Sequence, residues 1–218
     1  DAAIVTLSRV GGEGADLAYG DVNYLALDDN EKEMLSNVAA MKADGTVSKI
    51  IVLINSANTL QLDFLKDNIY NVDACLWIGD VGITGINAVA DILAGNVNPS
   101  GSLVDTYCYD NMSSPAMANF TPVTYEGYAE GIIPDKAKSY MVYQEGIYVG
   151  YKYYETRYED TVMGTGNAGS YVYSDDVAFP FGYGLSYTDF EYSDMTGVYD
   201  AATDSYNFNV TVTNTGDT

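Results

Sequence analysis

The chain has 218 residues, of which 31 are Asp or Glu and 9 are Lys or Arg, so its formal net charge is −22. So acidic a chain is a poor partner for nucleic acids or anionic membranes, and it suits a neutral substrate. It contains no His, which excludes Ser–His triads and the usual zinc sites and leaves acid–base chemistry to Asp, Glu, Tyr, Lys or Cys.

The composition is that of a folded protein, because 47% of the residues are hydrophobic. The length allows one large domain, or one domain with part of another. No apolar run reaches the length of a membrane-spanning helix. The sequence starts at a strand pattern and stops within another, so we expect a piece of a longer protein. Its two cysteines, Cys75 and Cys108, make no disulfide framework and are interpreted as small buried hydrophobic residues.

The first half of the chain alternates between predicted strands and helices. Continuous apolar runs predict buried strands at residues 3–7, 49–54 and 74–78. One helix is predicted to begin after Asp28, which forms a capping box with Glu31, and a second to follow the glycine-rich residues 79–85. This order predicts an α/β fold in which a mostly parallel sheet is flanked by helices, as in an α/β sandwich.

The second half of the chain has a different pattern of hydrophobic and aromatic residues. A further strand is predicted at residues 103–107, while residues 112–134 show neither a helical nor a strand period. Alternating aromatic and β-branched residues at 140–155 predict β structure. From Phe190 onward the alternation is that of an all-β region, as at the start of a β-sandwich.

A glycine-rich loop follows the first predicted strand. Gly11, Gly12 and Gly14 would let the backbone turn tightly and approach a ligand, and α/β folds bind ligands at the carboxyl ends of their strands. Glu13 lies between these glycines without a bulky neighbour, which makes it a candidate general acid for cleaving a glycosidic bond. The residue pattern alone favours a solvated turn glutamate over this role.

Two charged residues flank Glu13. Arg9 precedes the loop and Asp16 follows it. Arg9 could orient either carboxylate through a charge-assisted hydrogen bond. We favour a structural link between the loop and the sheet for Arg9, and we assign no catalytic role to Asp16.

Two other features indicate ligand binding more weakly. Residues 79–85 superficially resemble a phosphate-binding loop, but Asp80 would place a negative charge against a phosphate, so a tight strand-to-helix turn is the better interpretation. The 21 tyrosines include clusters on which sugar rings could stack, although such runs more often form packed β surfaces. No substrate-binding residue is assigned.

Four motifs, in this order along the chain, resemble the C-terminal half of family 3 glycoside hydrolases, the β-glucosidase family. They lie at residues 8–16, 85–101, 143–151 and 179–187. The resemblance implies that residues 1–190 belong to the family's C-terminal α/β sandwich domain, whose N-terminal part would be missing here. Residues 191–218 would begin a truncated fibronectin type III-like domain.

The resemblance also implies an activity. The family's general acid/base is a glutamate on a loop of the sandwich domain, and Glu13 occupies the matching position in the Gly-Glu-Gly motif. The nucleophile is an aspartate on a separate (β/α)8 barrel domain, and no part of that barrel is present in the sequence. The chain is therefore identified as a fragment of a retaining, exo-acting β-glucosidase that hydrolyses terminal non-reducing β-D-glucosyl residues. In isolation we expect it to be inactive.

The expected partners are a β-glucoside or oligosaccharide substrate and the barrel domain of the same protein, and homo-oligomers are left open. We expect no cofactor, no metal, no nucleic acid and no membrane contact from this segment. The acidic surface, rich in Tyr, Asn and Thr, favours a secreted or cell-surface bacterial enzyme, with a cytoplasmic location as the other option. The alternative hypothesis is a non-catalytic structural or assembly module derived from a glycoside hydrolase.

Overall fold

A three-stranded parallel sheet lies in the first part of the chain. The computed structural model describes residues 1–11, 14, 17, 24–120, 123–125 and 139–218. The strands, in spatial order, are β1 (Ala2–Ser8), β2 (Lys49–Asn55) and β3 (Ala74–Trp77). Ser8 lies opposite Asn55 and Ile54 lies opposite Trp77, so the three strands end at the same edge of the sheet. The three strands predicted from the apolar runs are confirmed to within one residue at each end.

The first helix, α1 (Asp29–Ala43), begins where the sequence predicts. Asp28 Oδ1 accepts a hydrogen bond from the Glu31 N–H (2.8 Å), and Glu31 Oε2 accepts one from the Asp28 N–H (3.0 Å), which completes the capping box. The helix packs against β1 and β2 and buries Leu35 completely. Gly45 then turns the chain with a φ of +84°, a conformation that favours glycine.

The sheet and α1 belong to a unit formed by residues 1–81 and 103–182. Its core lies between the strands and the helix. The buried side chains come from β1, α1, β2 and the segment after β2, and they include Val5, Leu7, Leu35, Val52, Ile54, Leu60 and Phe64. Burying an aliphatic or aromatic side chain of this size stabilises the folded state by roughly 1.5–3 kcal/mol. This core fixes the strand ends from which the candidate site is built.

The strand predicted at residues 103–107 is wrong in extent. Only β4 (Tyr107–Cys108) forms, and it pairs antiparallel with β7 (Val177–Phe179). Asp105 Oδ1 accepts a hydrogen bond from the Thr106 N–H (2.8 Å), which is a donor that a longer strand would need for pairing.

The β structure predicted at residues 140–155 is also wrong for most of that range. Only Tyr140 lies in a strand, and the helix α4 (Tyr151–Met163) replaces the rest of the prediction after Gly150. Residues 144–147 form turns, and Gly150, with a φ of +59°, lies directly before the helix. The Lys, Glu and Arg residues that follow it have good helix propensity, and Tyr154 is buried on the inner face of the helix.

Shorter elements complete this unit. They are the 3-10 segments Asp63–Asn68 and Asn111–Ser113, together with α3 (Pro115–Ala118), β5 (Val123–Thr124), β6 (Ser139–Tyr140) and α5 (Tyr173–Asp176). Residues 112–134, whose sequence shows neither a helical nor a strand periodicity, therefore contain only short elements within their described part. Residues 121–122 and 126–134 of this region lie outside the described residues.

The second unit is formed by residues 82–102 and 183–218. It contains the helix α2 (Gly82–Leu93) and an antiparallel hairpin made of β8 (Phe190–Asp200) and β9 (Ser205–Asn214). The predicted fold class, a parallel sheet flanked by helices and followed by antiparallel strands, is confirmed. The domain boundary after residue 190 and the fibronectin type III-like identity of the hairpin stay predictions.

Candidate functional site

The candidate site is the edge of the sheet at which β1, β2 and β3 end. Beyond the strands, the Arg9 N–H donates to the Asn55 carbonyl oxygen (3.1 Å), and the Ile78 N–H donates to the Ile54 carbonyl oxygen (2.9 Å). These bonds continue the sheet pairing by one residue. The glycine-rich loop begins at this edge, where parallel sheets present ligand-binding residues.

The structure describes the base of the loop. Arg9, Gly11 and Gly14 are among the described residues, whereas Glu13 and Asp16 lie outside them. The role of Glu13 as general acid/base therefore stays a prediction, and the geometry of the site is that of the residues around the loop.

Two of the loop glycines have surroundings or conformations that disfavour a side chain. Gly14 has a φ of +78°, in the left-handed region that other residues rarely adopt. Gly11 lies against Asn58, whose Oδ1 would overlap a Cβ atom placed on Gly11. This Oδ1 is buried and has no hydrogen-bond partner among the described residues. A side chain at position 11 would therefore clash with Asn58, while the expected approach of the loop backbone to a ligand stays a prediction.

Arg9 uses all five of its guanidinium N–H groups. Nη1 and Nη2 donate to Oε1 and Oε2 of Glu31, each at 2.7 Å. Nη1 also donates to the Ser8 carbonyl oxygen (2.8 Å), Nη2 to the Ala26 carbonyl oxygen (2.8 Å), and Nε to the Tyr24 carbonyl oxygen. This geometry supports the interpretation of Arg9 as a structural link between the loop and the sheet.

Glu31 is the partner of Arg9 that the sequence reasoning missed. The capping box identifies Glu31 as a helix residue, but nothing in a separation of 22 residues connects it with Arg9. The side chains of Arg9 and Glu31 are only 10% and 18% exposed, and charge-assisted bidentate bonds are strong when water is largely excluded. The available signal was topological, because the end of a strand and the start of the next helix lie at the same edge of an α/β fold.

Aromatic residues form another part of this unit near the strand ends. Trp77 Nε1–H donates to the Ser56 carbonyl oxygen (2.9 Å), and its ring centroid lies 6.5 Å from that of Tyr107. Burial, assisted by the negative charge of Asp105, raises the pKa of Tyr107 to about 12. Tyr107 is therefore protonated at neutral pH and does not act as a general base.

The two cysteines have different environments. Cys108 is buried, as predicted, and burial raises the pKa of its thiol to about 11. At neutral pH it is a thiol and a poor nucleophile. By its accessible surface Cys75, on the outer strand β3, is exposed, which contradicts its interpretation as a buried residue, although partial desolvation of its thiol still raises the thiol pKa to about 12.

The chain passes from strand to helix within the glycine-rich segment 79–85, as predicted, and residues 82–85 of that segment already belong to α2. β3 ends at Trp77 and α2 begins at Gly82, and Gly79 and Gly82 have φ values of +57° and +65°. Within the described ranges, no three or more Cys, Asp and Glu residues are grouped so that they could hold a metal ion. None of the helices in the described part of the chain has both the length and the apolar composition needed to cross a membrane.

Comparison with known sequences gives a family match and named relatives. Residues 1–151 match the model of the glycosyl hydrolase family 3 C-terminal domain. The chain is 33% identical over 193 residues to a β-glucosidase of Ruminococcus albus, a match that covers 88% of this chain and 16% of that protein. It is 36% identical over 139 residues to an exo-α-(1→6)-L-arabinopyranosidase of Bifidobacterium breve, covering 63% of this chain and 14% of that protein.

A solved structure extends the likeness to the fold. β-Glucosidase 3B of Thermotoga neapolitana, in complex with α-D-glucose, superimposes with a TM-score of 0.70 at 31% identity. The match covers 99% of this chain and 26% of that protein. The chain thus spans about a sixth of the R. albus enzyme and about a quarter of the T. neapolitana enzyme, and most of each relative lies outside the matched region.

Proposed function

This chain belongs to glycosyl hydrolase family 3, to whose C-terminal domain it corresponds, and we propose that it supplies the general acid/base, Glu13, of a β-glucosidase. The proposed parent enzyme hydrolyses terminal non-reducing β-D-glucosyl residues with retention of the anomeric configuration. Its nucleophile would be an aspartate on a (β/α)8 barrel domain outside this sequence. On this proposal the isolated chain has no activity.

Glu13 takes part in both steps of the proposed reaction. In the first step, its carboxylic acid gives a proton to the glycosidic oxygen while the aspartate attacks the anomeric carbon, so that an alcohol leaves and a glycosyl-enzyme ester forms. In the second step, the Glu13 carboxylate removes a proton from water, whose oxygen attacks the anomeric carbon and releases the aspartate. Two inversions at one carbon leave its configuration unchanged overall.

The position of the loop base is the observation that supports this proposal most. Arg9 and Gly11 follow β1 at the edge where all three parallel strands end. α/β folds present their catalytic groups at this edge, and Glu13 follows Gly11 by two residues in the sequence. The β-D-glucosyl specificity is proposed from the named activity of the R. albus and T. neapolitana relatives. Since the B. breve relative bears another name, a panel of aryl glycosides is needed to identify the sugar.

The proposal is tested by replacing Glu13 in the full-length protein that contains this chain. For an aryl β-glucoside with a poor leaving group, such as phenol, Glu13→Ala is expected to lower kcat/KM by about 10²–10⁴-fold. For a dinitrophenyl glucoside we expect a much smaller loss, because this leaving group needs little protonation. The measurement is the slope of log kcat/KM against the pKa of the leaving group, which should become steeper in the variant.

Asp80→Asn is the matched control for this experiment. Asp80 is an exposed carboxylate that also follows a strand of the sheet, and it has no assigned role. Its variant should have the same slope as the unchanged protein. If Glu13→Ala retains the wild-type slope, or loses the same fraction of activity with every leaving group, Glu13 is not the acid.

A non-catalytic structural or assembly module is the second candidate, and the β8–β9 hairpin is the feature that favours it. On one face of this hairpin, Tyr192, Tyr199, Tyr206 and Phe208 are each at least 49% exposed. Contiguous apolar surface of this kind suits contact with another protein surface. A parent reading frame with a barrel domain and its aspartate would support the enzyme, and a parent without that barrel would support the module.

A further inference from the structure

The side chain of Arg9 joins the two ends of the loop that contains Glu13. Arg9 directly precedes this loop, and the carbonyl oxygens of Tyr24 and Ala26, which accept hydrogen bonds from Nε and Nη2, follow it. Glu31 accepts two more of the guanidinium hydrogen bonds. One guanidinium therefore holds the chain before and after residues 10–23 at the same point of the sheet edge.

Glu31 is itself held in place. Its Oε2 accepts hydrogen bonds both from Arg9 Nη2 (2.7 Å) and from the Asp28 N–H (3.0 Å). Asp28 caps α1, and Leu35, which is 0% exposed, fixes this helix in the core. The carboxylate that binds Arg9 is thus part of a packed helix terminus rather than a free surface side chain.

We propose that Arg9 and Glu31 are a positioning pair for the catalytic loop, an inference that rests on the proposed role of Glu13. On this proposal neither residue touches the substrate. The pair fixes the points at the sheet edge from which the chain leaves after Arg9 and to which it returns at residues 24–26, and the proposed acid, Glu13, lies between these points in the sequence. A displacement of about 1 Å can lower a rate on the order of 100-fold, so a loosened pair should impair acid catalysis selectively.

The same helix provides a control ion pair. Lys42 lies near the C-terminal end of α1, and its Nζ is 2.7 Å from Asp73 Oδ2. Asp73 directly precedes β3 at the opposite edge of the sheet. Asp73→Asn therefore weakens an ion pair that is as short as the one between Arg9 and Glu31, at a position far from the loop that contains Glu13.

The test uses Arg9→Lys and Glu31→Gln in the full-length protein. Lys keeps the charge but not the planar fork, and Gln keeps an acceptor for the helix cap but not the charge. Each variant is expected to lower kcat/KM by about 10–100-fold for phenyl β-glucoside and by less than about 3-fold for the dinitrophenyl glucoside. Asp73→Asn should leave the leaving-group slope unchanged. If the Arg9 and Glu31 variants have the same slope as this control, the pair only stabilises the fold and the inference is overturned.

Double variants distinguish this inference from the proposed function. Adding Arg9→Lys to Glu13→Ala should cause no further loss with phenyl β-glucoside, because the pair acts through Glu13. Additive losses would show an independent effect and overturn the inference. If Arg9→Lys does not fold, the same comparison is made with Glu31→Gln, alone and combined with Glu13→Ala. A wild-type slope in Glu13→Ala alone is a different result, since it contradicts the proposed function itself.

Discussion

The two edges of the parallel sheet hold ion pairs of similar length in different structural settings. At the carboxyl edge, Arg9 and Glu31 are 10% and 18% exposed and are joined by two hydrogen bonds of 2.7 Å. At the amino edge, Asp73 lies 2.7 Å from Lys42, with side chains that are 21% and 16% exposed, and 3.2 Å from Lys49, whose side chain is 62% exposed. The first pair connects a strand end, a loop and a helix start. The second connects a helix end with the starts of two strands.

The difference lies in what the charged groups hold together. Asp73 also accepts a hydrogen bond from the Ile50 N–H (2.8 Å), and Lys42 donates to the Asn71 carbonyl oxygen (2.9 Å), so these contacts stay within the packed framework. Arg9 instead donates to carbonyl oxygens at the far end of a loop. The chemistry of an ion pair therefore does not identify a positioning role, whereas the segments that it joins can do so.

The largest effect on stability is expected at the carboxyl edge. Arg9→Ala leaves the largely buried Glu31 carboxylate without its counter-charge and removes the guanidinium donor from three carbonyl oxygens, those of Ser8, Tyr24 and Ala26. We expect the free energy of unfolding to fall by about 3–5 kcal/mol, as measured by urea unfolding. A loss below about 1 kcal/mol would mean that the pair behaves like an exposed surface pair, and the contrast between the two edges would then disappear.

A smaller effect is expected for the helix cap beside the same pair. Asp28→Ala removes the acceptor for the Glu31 N–H, which should lower the free energy of unfolding by about 1 kcal/mol, while the bonds between Arg9 and Glu31 persist. Urea unfolding of the single variants and of Asp28→Ala with Arg9→Ala measures whether the losses add. Strong non-additivity would show that the cap and the pair form one cooperative unit.

The smallest effect is expected at the amino edge, where it should depend on pH. The hydrogen bond from Lys42, assisted by that from the Ile50 N–H, holds the pKa of the Asp73 carboxyl below its usual value. A lowered folded-state pKa means that the carboxylate stabilises the fold above a pH of about 4 and that this contribution is lost as the pH falls through the folded pKa. The stability difference between the unchanged protein and Asp73→Asn should therefore shrink between about pH 5 and about pH 2. If this stability difference stays constant over that pH range, the negative charge of Asp73 is not what stabilises the fold at this edge.

Local signals in the sequence were sufficient for the first half of the fold. The strands β1 to β3 are continuous apolar runs, and the start of α1 is specified by the side chains of Asp28 and Glu31 within one helical turn. The same approach failed at α4, because alternating aromatic residues gave a strand period while the left-handed Gly150 and the helix-forming residues after it favoured a helix. It failed at β4 because the antiparallel partner lies about seventy residues away in the chain.

The candidate site was predictable only in part. The place of the glycine loop after β1 follows from the apolar run that precedes it, and the role of Glu13 comes from the family resemblance. The contact of Arg9 with Glu31 depends on how α1 returns to the sheet, and no local pattern encodes that distance. Asn58 was missed for the same reason, since it approaches Gly11 only after β2 has paired with β1.

The central claim is that Glu13 donates and then accepts the proton, and azide tests it most directly. In the full-length Glu13→Ala variant acting on a dinitrophenyl β-glucoside, the glycosyl-enzyme should accumulate, because no base activates water. Azide is an anion that needs no such base, so it should attack the ester, raise the turnover and give β-glucosyl azide as the product. Unchanged turnover in the presence of azide, with glucose as the sole sugar product, would contradict the assignment of Glu13.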